Sequence, residues 1–272
     1  MPRSRTVPSH LLDDALRRAP AAPLLTSYDD ATGARIELSA TTLANWVAKS
    51  ANLLADEFDL GPGSSVAVVL PPHWQTAAVL LAVWSCGATV VDTAAEDGHG
   101  LSEVDLVLVE QTRLPPVEDL LTELGDDAPQ LLGLSLHPLG LGMTGYAGAA
   151  RDFAVEVRTH GDLFNPWQPA DPEAVGLRLG ALELTLAGLV EAAGELAGRL
   201  HLTGDDRLLV DAGAVADAGP VTWLLAPLAA GASVVLVTAP DRSRLVRRAA
   251  EERVTASLGI AVEGIRELGR PG

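Results

Sequence analysis

Leu60-Gly61-Pro62-Gly63-Ser64-Ser65-Val66-Ala67-Val68-Val69-Leu70-Pro71-Pro72 reads as a turn, an apolar run of strand length and a proline stop. A run apolar at every position from Val66 to Leu70 implies burial on both faces, as in a parallel sheet covered by helices. Upstream, Ile36-Glu37-Leu38-Ser39 leads into a helix through about Phe58, with Leu43, Trp46, Val47, Ser50, Leu53 and Leu54 at helical spacing and Ser39 as the N-cap. Downstream, Gln75 to Ser85 reads as a helix and Ala88 to Val91 as the next strand. The series then starts again. Leu182-Glu183-Leu184-Thr185 leads into a second helix over Leu186 to Leu200, Leu202-Thr203-Gly204-Asp205 precedes a strand over Arg207 to Asp211, and a helix over Val221 to Ala229 leads to a strand over Ser233 to Val237. Two copies in one order predict two supersecondary units of one architecture, related by a pseudo-twofold, with any ligand at the seam between them.

The remaining segments fit the same plan. Leu24 to Tyr28 and Ala34 to Leu38 flank Asp29-Asp30-Ala31-Thr32-Gly33, the composition of a hairpin turn, and Val175 to Leu184 repeats that hairpin in the second copy. Residues 9 to 19 read as a short helix with Ser9 as candidate N-cap. Between the copies, residues 96 to 170 give strands over Val104 to Val109 and Gln130 to Leu136, and helices over Pro116 to Leu124 and Ala147 to Thr159. Asn165 to Pro172 is a proline-rich linker, Arg242 to Arg253 a helix and Thr255 to Ile260 a final strand. Such β-α alternation predicts an α/β chain of two subdomains, each a mainly parallel sheet flanked by helices. The expected division places the first subdomain and its connecting βαβα segment in residues 1–165 and the second subdomain in 166–272.

Composition narrows the function classes. A formal charge of −17, from 36 acidic against 19 basic residues, repels phosphate backbones and anionic bilayers, so neither nucleic acid nor a membrane is an expected partner. Cys86 stands alone, which excludes an intramolecular disulfide or a thiolate cluster and makes the cytoplasm the default compartment. Arg3 and Arg5 are followed by no continuous apolar stretch before Asp13-Asp14, so a signal peptide is not expected. The longest apolar candidate, Trp223 to Val237, is interrupted by Pro227 and Gly231 and falls short of the ~20 residues of a membrane span.

Both copies resemble the large N-terminal domain of the adenylate-forming superfamily, which includes acyl-CoA synthetases, luciferases and the adenylation domains of peptide synthetases. The first copy carries the resemblance through Ser39-x-x-x-Leu43, Leu60 to Pro71 and Gly87-Ala88-Thr89-Val90-Val91. The second carries it through Leu202-Thr203-Gly204-Asp205-Asp206-Arg207, Leu224 to Ala232 and Glu252-Arg253-Val254-Thr255. The resemblance implies that family's two-subdomain fold and, in family members, a Ser/Thr/Gly-rich phosphate loop ending in Pro-Lys-Gly, where backbone N–H groups and a lysine surround ATP phosphates. The corresponding stretch here, Glu173 to Glu183, has no Ser, Thr or Lys and one base, Arg178, and its alternating apolar positions read as a plain hairpin. Lys49, the only lysine, sits mid-helix in the first copy, and Gly272 stands near where the family continues to its adenine-binding segment, ribose-binding Asp and C-terminal catalytic lysine. The resemblance therefore implies a catalytically defective relative with a binding or assembly role. The alternative is a ligase-like or other enzyme, completed by a partner chain and acting on a small carboxylate or acyl compound; a homodimer is a further possibility.

No catalytic residue, cofactor or metal ligand is assigned, and six residues are candidates for ligand contact. His73 and Trp74 follow Pro71-Pro72 at the C-terminal end of a parallel strand, where open α/β sheets bind ligands. The plainer reading makes His73 a solvent-facing turn residue and lets Trp74 pack over the sheet edge. Asp211 and Asp217 hold the equivalent place in the second copy, or belong to a polar connection. His160 and Asp162 could pair an imidazole with a carboxylate, or mark a helix C-terminus. The histidines show no His-x-x-x-His pair, the serines no Gly-x-Ser-x-Gly context, and Cys86 reads as a small core residue. Arg242, Arg244, Arg247, Arg248 and Arg253 read as a solvated, partly ion-paired helix face.

Overall fold

The computed structural model describes residues 7–92 and 100–269. Arg3, Arg5 and the first residues of the connecting segment lie outside them. A short helix α1 (Leu11–Arg18) precedes hairpin strands β1 (Pro23–Asp29) and β2 (Ala34–Ser39), then α2 (Ala40–Phe58), β3 (Ser65–Val69), α3 (Trp74–Ser85) and β4 (Thr89–Asp92). The connection contributes β5 (Leu106–Glu110), α4 (Leu114–Leu124), β6 (Gln130–Leu134), β7 (Arg151–Asp152) and α5 (Phe153–Glu156). The second copy follows as hairpin β8 (Val175–Leu179) and β9 (Leu182–Thr185), α6 (Leu186–Arg199), β10 (Arg207–Asp211), α7 (Ala226–Ala230) and β11 (Ser233–Thr238). Helix α8 (Leu245–Glu251) and strands β12 (Ala256–Leu258) and β13 (Arg266–Leu268) complete it.

The strands form two sheets, β7-β6-β5-β3-β4-β8-β9 and β13-β12-β10-β11-β1-β2, parallel throughout except for the return strands β2 and β9 of the hairpins. Apart from β7, the two orders correspond term by term. Each sheet ends in the hairpin that begins the other half of the sequence. The expected division at 165/166 is thus not a division between sheets, because the two halves exchange hairpins.

Side-chain alternation separates the layers. Leu106 and Leu108 of β5 point into a central core, and Val107 and Val109 into an outer one beneath α4. In the second sheet, Leu208, Val210, Val234 and Leu236 face the same central core while Leu209, Val235 and Val237 pack beneath α8. Helices α2, α3, α6 and α7 fill the space between the sheets, so the order is helix, sheet, helices, sheet, helix. Helix α3 is the centre of this stack, with every residue from Trp74 to Trp84 buried. The two copies also start their first helix the same way: Ser39 Oγ accepts from Thr42 N at 3.1 Å, and Thr185 Oγ1 from Gly188 N at 2.9 Å.

Several expected elements differ for identifiable reasons. The helix expected over Ala147 to Thr159 is reduced to β7, α5 and a 3-10 turn over Val157–Thr159. Its first amides are taken elsewhere: Ala149 N donates to Glu118 Oε1 at 2.8 Å and Ala150 N to Tyr146 Oη at 2.8 Å. Ser9 does not cap α1, which starts at Leu11 after a 3-10 turn. The expected helix over Val221 to Ala229 begins as a π-helical turn, Val221–Leu225, before Pro227, whose missing N–H cannot continue an α ladder. Strand β13 was not expected; its two exposed residues of three give no apolar signal.

The arginine-rich helix face is also not simply solvated. Arg248 is buried, and its guanidinium grips both carboxylate oxygens of Asp30 at 2.9 and 2.5 Å while lying 4.1 Å from the centre of the Tyr28 ring. Beside it, Glu252 accepts from Tyr28 Oη at 2.6 Å, from Arg35 at 2.9 Å and from Arg207. These contacts fasten the β1–β2 hairpin to the second half of the chain. Among the described residues, no helix is long and apolar enough to cross a membrane, and no group of three or more His, Cys, Asp or Glu could hold a metal ion.

Candidate functional site

Among the described residues, the C-terminal ends of β3, β5 and β6 come together with those of β1 and β11 along the seam between the sheets, which has two mouths. One lies beside the β8–β9 hairpin. It is narrow, about 80 Å³, and lined largely by apolar side chains, among them Val68, Leu70, Leu80, Leu177 and Trp223. That volume admits only a few water molecules. The hairpin itself turns through Gly180 at φ +57°, and its single base is spent across the strands: Arg178 Nε donates to Glu183 Oε1 at 2.8 Å.

The other mouth, beside the β1–β2 hairpin, is an open cleft of about 580 Å³. His73 lies in its wall and is only 9% exposed, at the N-cap of α3, where Nδ1 accepts from Gln75 N at 3.3 Å. Burial depresses its basicity and the nearby Asp29 carboxylate only partly restores it, so the imidazole titrates at about 4 and is neutral at pH 7. His137 uses the same local device, its Nδ1 accepting from Leu139 N at 3.1 Å. Asp29 and Glu110 bring carboxylates to the cleft, and among the described residues no Lys or Arg lines it. Two non-glycine residues beside it hold left-handed backbone, Leu136 at φ 50° and Ala239 at φ 48°.

The six candidate contact residues do not converge. His73 lines the open cleft, against the expectation of a solvent-facing turn residue. Trp74 stands behind it, 1% exposed, edge-on to Trp46 at 5.0 Å, with Nε1 donating to Pro138 O at 3.1 Å. It is core rather than a cover for the sheet edge. Asp211 closes its own loop, Oδ1 accepting from Gly213 N and Ala214 N at 3.0 and 3.3 Å. Asp217 is exposed in the 3-10 turn Ala216–Ala218, whose first residue borders the narrow mouth. His160 lies elsewhere, beside α2. Its Nδ1 is 3.5 Å from Asp56, not paired with the exposed Asp162, and its carbonyl accepts from Lys49 Nζ at 2.5 Å. Cys86 is buried, and burial pushes its thiol up to about 12.

Asp29, Glu110 and His137 were not among the sequence candidates. Each sits at, or a few residues beyond, the C-terminal end of a parallel strand, so the rule that selected His73 applies to all three.

Comparison with known proteins places this geometry. No family model matches the chain. A TIGR03089 family protein of Mycobacterium tuberculosis is 42% identical over 253 residues, which cover 93% of this chain and 98% of that protein. Among solved structures, an acyl-CoA synthetase of Brucella canis superposes with a TM-score of 0.72 at 18% identity, over 94% of this chain and 48% of its own. The anthranilate CoA ligase AuaEII, solved with anthranoyl-AMP, gives 0.74 at 16% identity, over 93% of this chain and 49% of its own. The N-terminal domain of FACL13 from Mycobacterium tuberculosis gives 0.70 at 16% identity, over 93% of this chain and 62% of its own. The chain therefore spans about half the length of the two full synthetase structures, and its fold is that of the acyl-CoA synthetase N-terminal domain.

Proposed function

The chain belongs to the TIGR03089 family, and we propose that it is a binding or assembly module on the adenylate-forming fold that does not itself adenylate a carboxylate. The observation that carries this reading is the narrow, largely apolar mouth beside the β8–β9 hairpin. In the superfamily that the fold resembles, the corresponding loop surrounds ATP phosphates. Here the mouth is narrow and lined largely by apolar side chains, among them Val68, Leu70, Leu80, Leu177 and Trp223, and Arg178 is ion-paired with Glu183. Stabilising a transferring phosphoryl or adenylyl group needs aligned donors or cations worth several kcal/mol at the transition state. A hairpin over 173–183 without Ser, Thr or Lys supplies its backbone amides and one guanidinium, Arg178, already paired across the strands.

The reading is tested by ATP–pyrophosphate exchange on the purified chain with a panel of aliphatic and aromatic carboxylic acids. Exchange at the level of the no-enzyme control is expected for every acid. Acid-dependent exchange well above that control overturns the reading and favours a ligase.

A further inference from the structure

We propose that the open mouth of the seam binds a small polyhydroxylated molecule, a sugar or cyclitol, between the imidazole N–H groups of His73 and His137 and the carboxylates of Asp29 and Glu110. This deepens the binding-module reading and rests on it. The cleft, at about 580 Å³, is of a size that small-molecule sites commonly have.

The donors are fixed before any ligand arrives. In both histidines Nδ1 accepts a backbone N–H two residues further on, so in the neutral ring the proton is on Nε2. The His73 residue is nine-tenths buried in the cleft wall, and its Nε2–H makes no hydrogen bond among the described residues, which leaves that donor for a ligand in the cleft. The acceptors are carboxylates, of which Asp29 is held in place by Ala31 N at 2.9 Å and Thr32 Oγ1 at 2.7 Å.

Ligand classes differ in how many of these groups they satisfy. An amine answers the carboxylates but offers the two N–H groups no acceptor. A carboxylate or phosphate accepts from the imidazoles but meets two negative charges, with no Lys or Arg lining the cleft among the described residues. Hydroxyl groups donate and accept, and a vicinal pair can bridge both oxygens of one carboxylate. Leu136 and Leu141 add apolar surface for the C–H face of a ring.

The test is titration calorimetry on the full chain with D-ribose, D-glucose and myo-inositol, and with putrescine and benzoate as comparators. Saturable binding of at least one polyol is expected, with none of either comparator. Two variants localise it. Glu110→Gln keeps the shape and removes the charge. His73→Asn keeps a helix-capping side chain and removes the imidazole N–H. Each is expected to weaken polyol binding about tenfold or more, with the unfolding midpoint measured alongside to show that the variant is folded. No polyol binding, preferential binding of putrescine or benzoate, or wild-type polyol affinity in both folded variants overturns the inference. Pyrophosphate exchange on the same preparation separates the two claims. Exchange overturns the proposed function, whereas absent polyol binding without exchange overturns only the ligand assignment.

Discussion

Arg248 and Asp30, separated by 218 positions in the chain, form a two-point ion pair in which each side chain is less than a tenth exposed. The pair joins the hairpin of the first half to α8 of the second, and so secures the exchange that makes two sheets one body. Its value to the fold lies less in net attraction than in the cost of leaving either charge buried alone.

Arg248→Ala and Asp30→Ala are each expected to destabilise the protein by about 3–5 kcal/mol, because each strands its partner. Urea unfolding monitored by circular dichroism measures this. Arg248→Met combined with Asp30→Leu, which removes both charges, should be less destabilised than either single change. A loss below about 1 kcal/mol in both single variants would contradict the assigned role.

Acid stability should report the same network. Burial alone would raise the Glu252 carboxyl, but hydrogen bonds from Tyr28, Arg207 and Arg35 outweigh it and hold it at about 2, while Arg248 holds Asp30 below the usual carboxylate range. A carboxyl depressed on folding stabilises fully above its unfolded pKa, near 4.3 for Glu, and loses that contribution as pH falls through the folded value. Thermal unfolding is therefore expected to shift steeply downward between about pH 4.5 and 2. Glu252→Gln, less stable at pH 7, should show a shallower slope in that window; an unchanged slope would count against the network.

Gly176 tests the other exchanged hairpin. A Cβ there would stand 2.7 Å from Leu186 Cδ2, 2.9 Å from Leu189 Cδ1 and 3.2 Å from Leu186 Cα, and its carbonyl accepts from Trp84 Nε1 at 2.7 Å. Gly176→Ala is expected to cost about 1–3 kcal/mol through overpacking, read from the urea midpoint. Gly61→Ala, with open space around its Cβ, is the control and should cost much less.

Cys86 should be inert in the folded protein. It is 2% exposed and its thiol is pushed up to about 12 by burial, so little thiolate is present or reachable at pH 8. Reaction with Ellman's reagent is expected only on unfolding in denaturant; rapid labelling of the native chain would show that the α2–α3 contact opens readily.

Much of the architecture was legible because it rests on local signals. The Ser39 cap, the apolar run Val66 to Val69 and the hairpin glycines each specify an element by spacing alone. The exchange of hairpins was not legible, since Asp30 and Arg248 or Trp84 and Gly176 are paired by topology rather than by any pattern along the chain. The same limit applied to the site. His73 could be selected from its place after a strand, but its burial depends on neighbours in sheets that the sequence does not order, and Glu110 looks like any charged residue until β5 is set beside β3. The arginine run looked uniform, and only the packing of α8 distinguishes buried Arg248 from exposed Arg247.

The central claim, that the hairpin Val175–Thr185 and the narrow, largely apolar mouth beside it cannot grip a triphosphate, is tested most directly by titrating the purified chain with Mg·ATP in a calorimeter. The account predicts no saturable heat up to millimolar nucleotide. Saturable, stoichiometric binding in the micromolar range, lost on introducing Ala181→Glu at the hairpin turn, would contradict it.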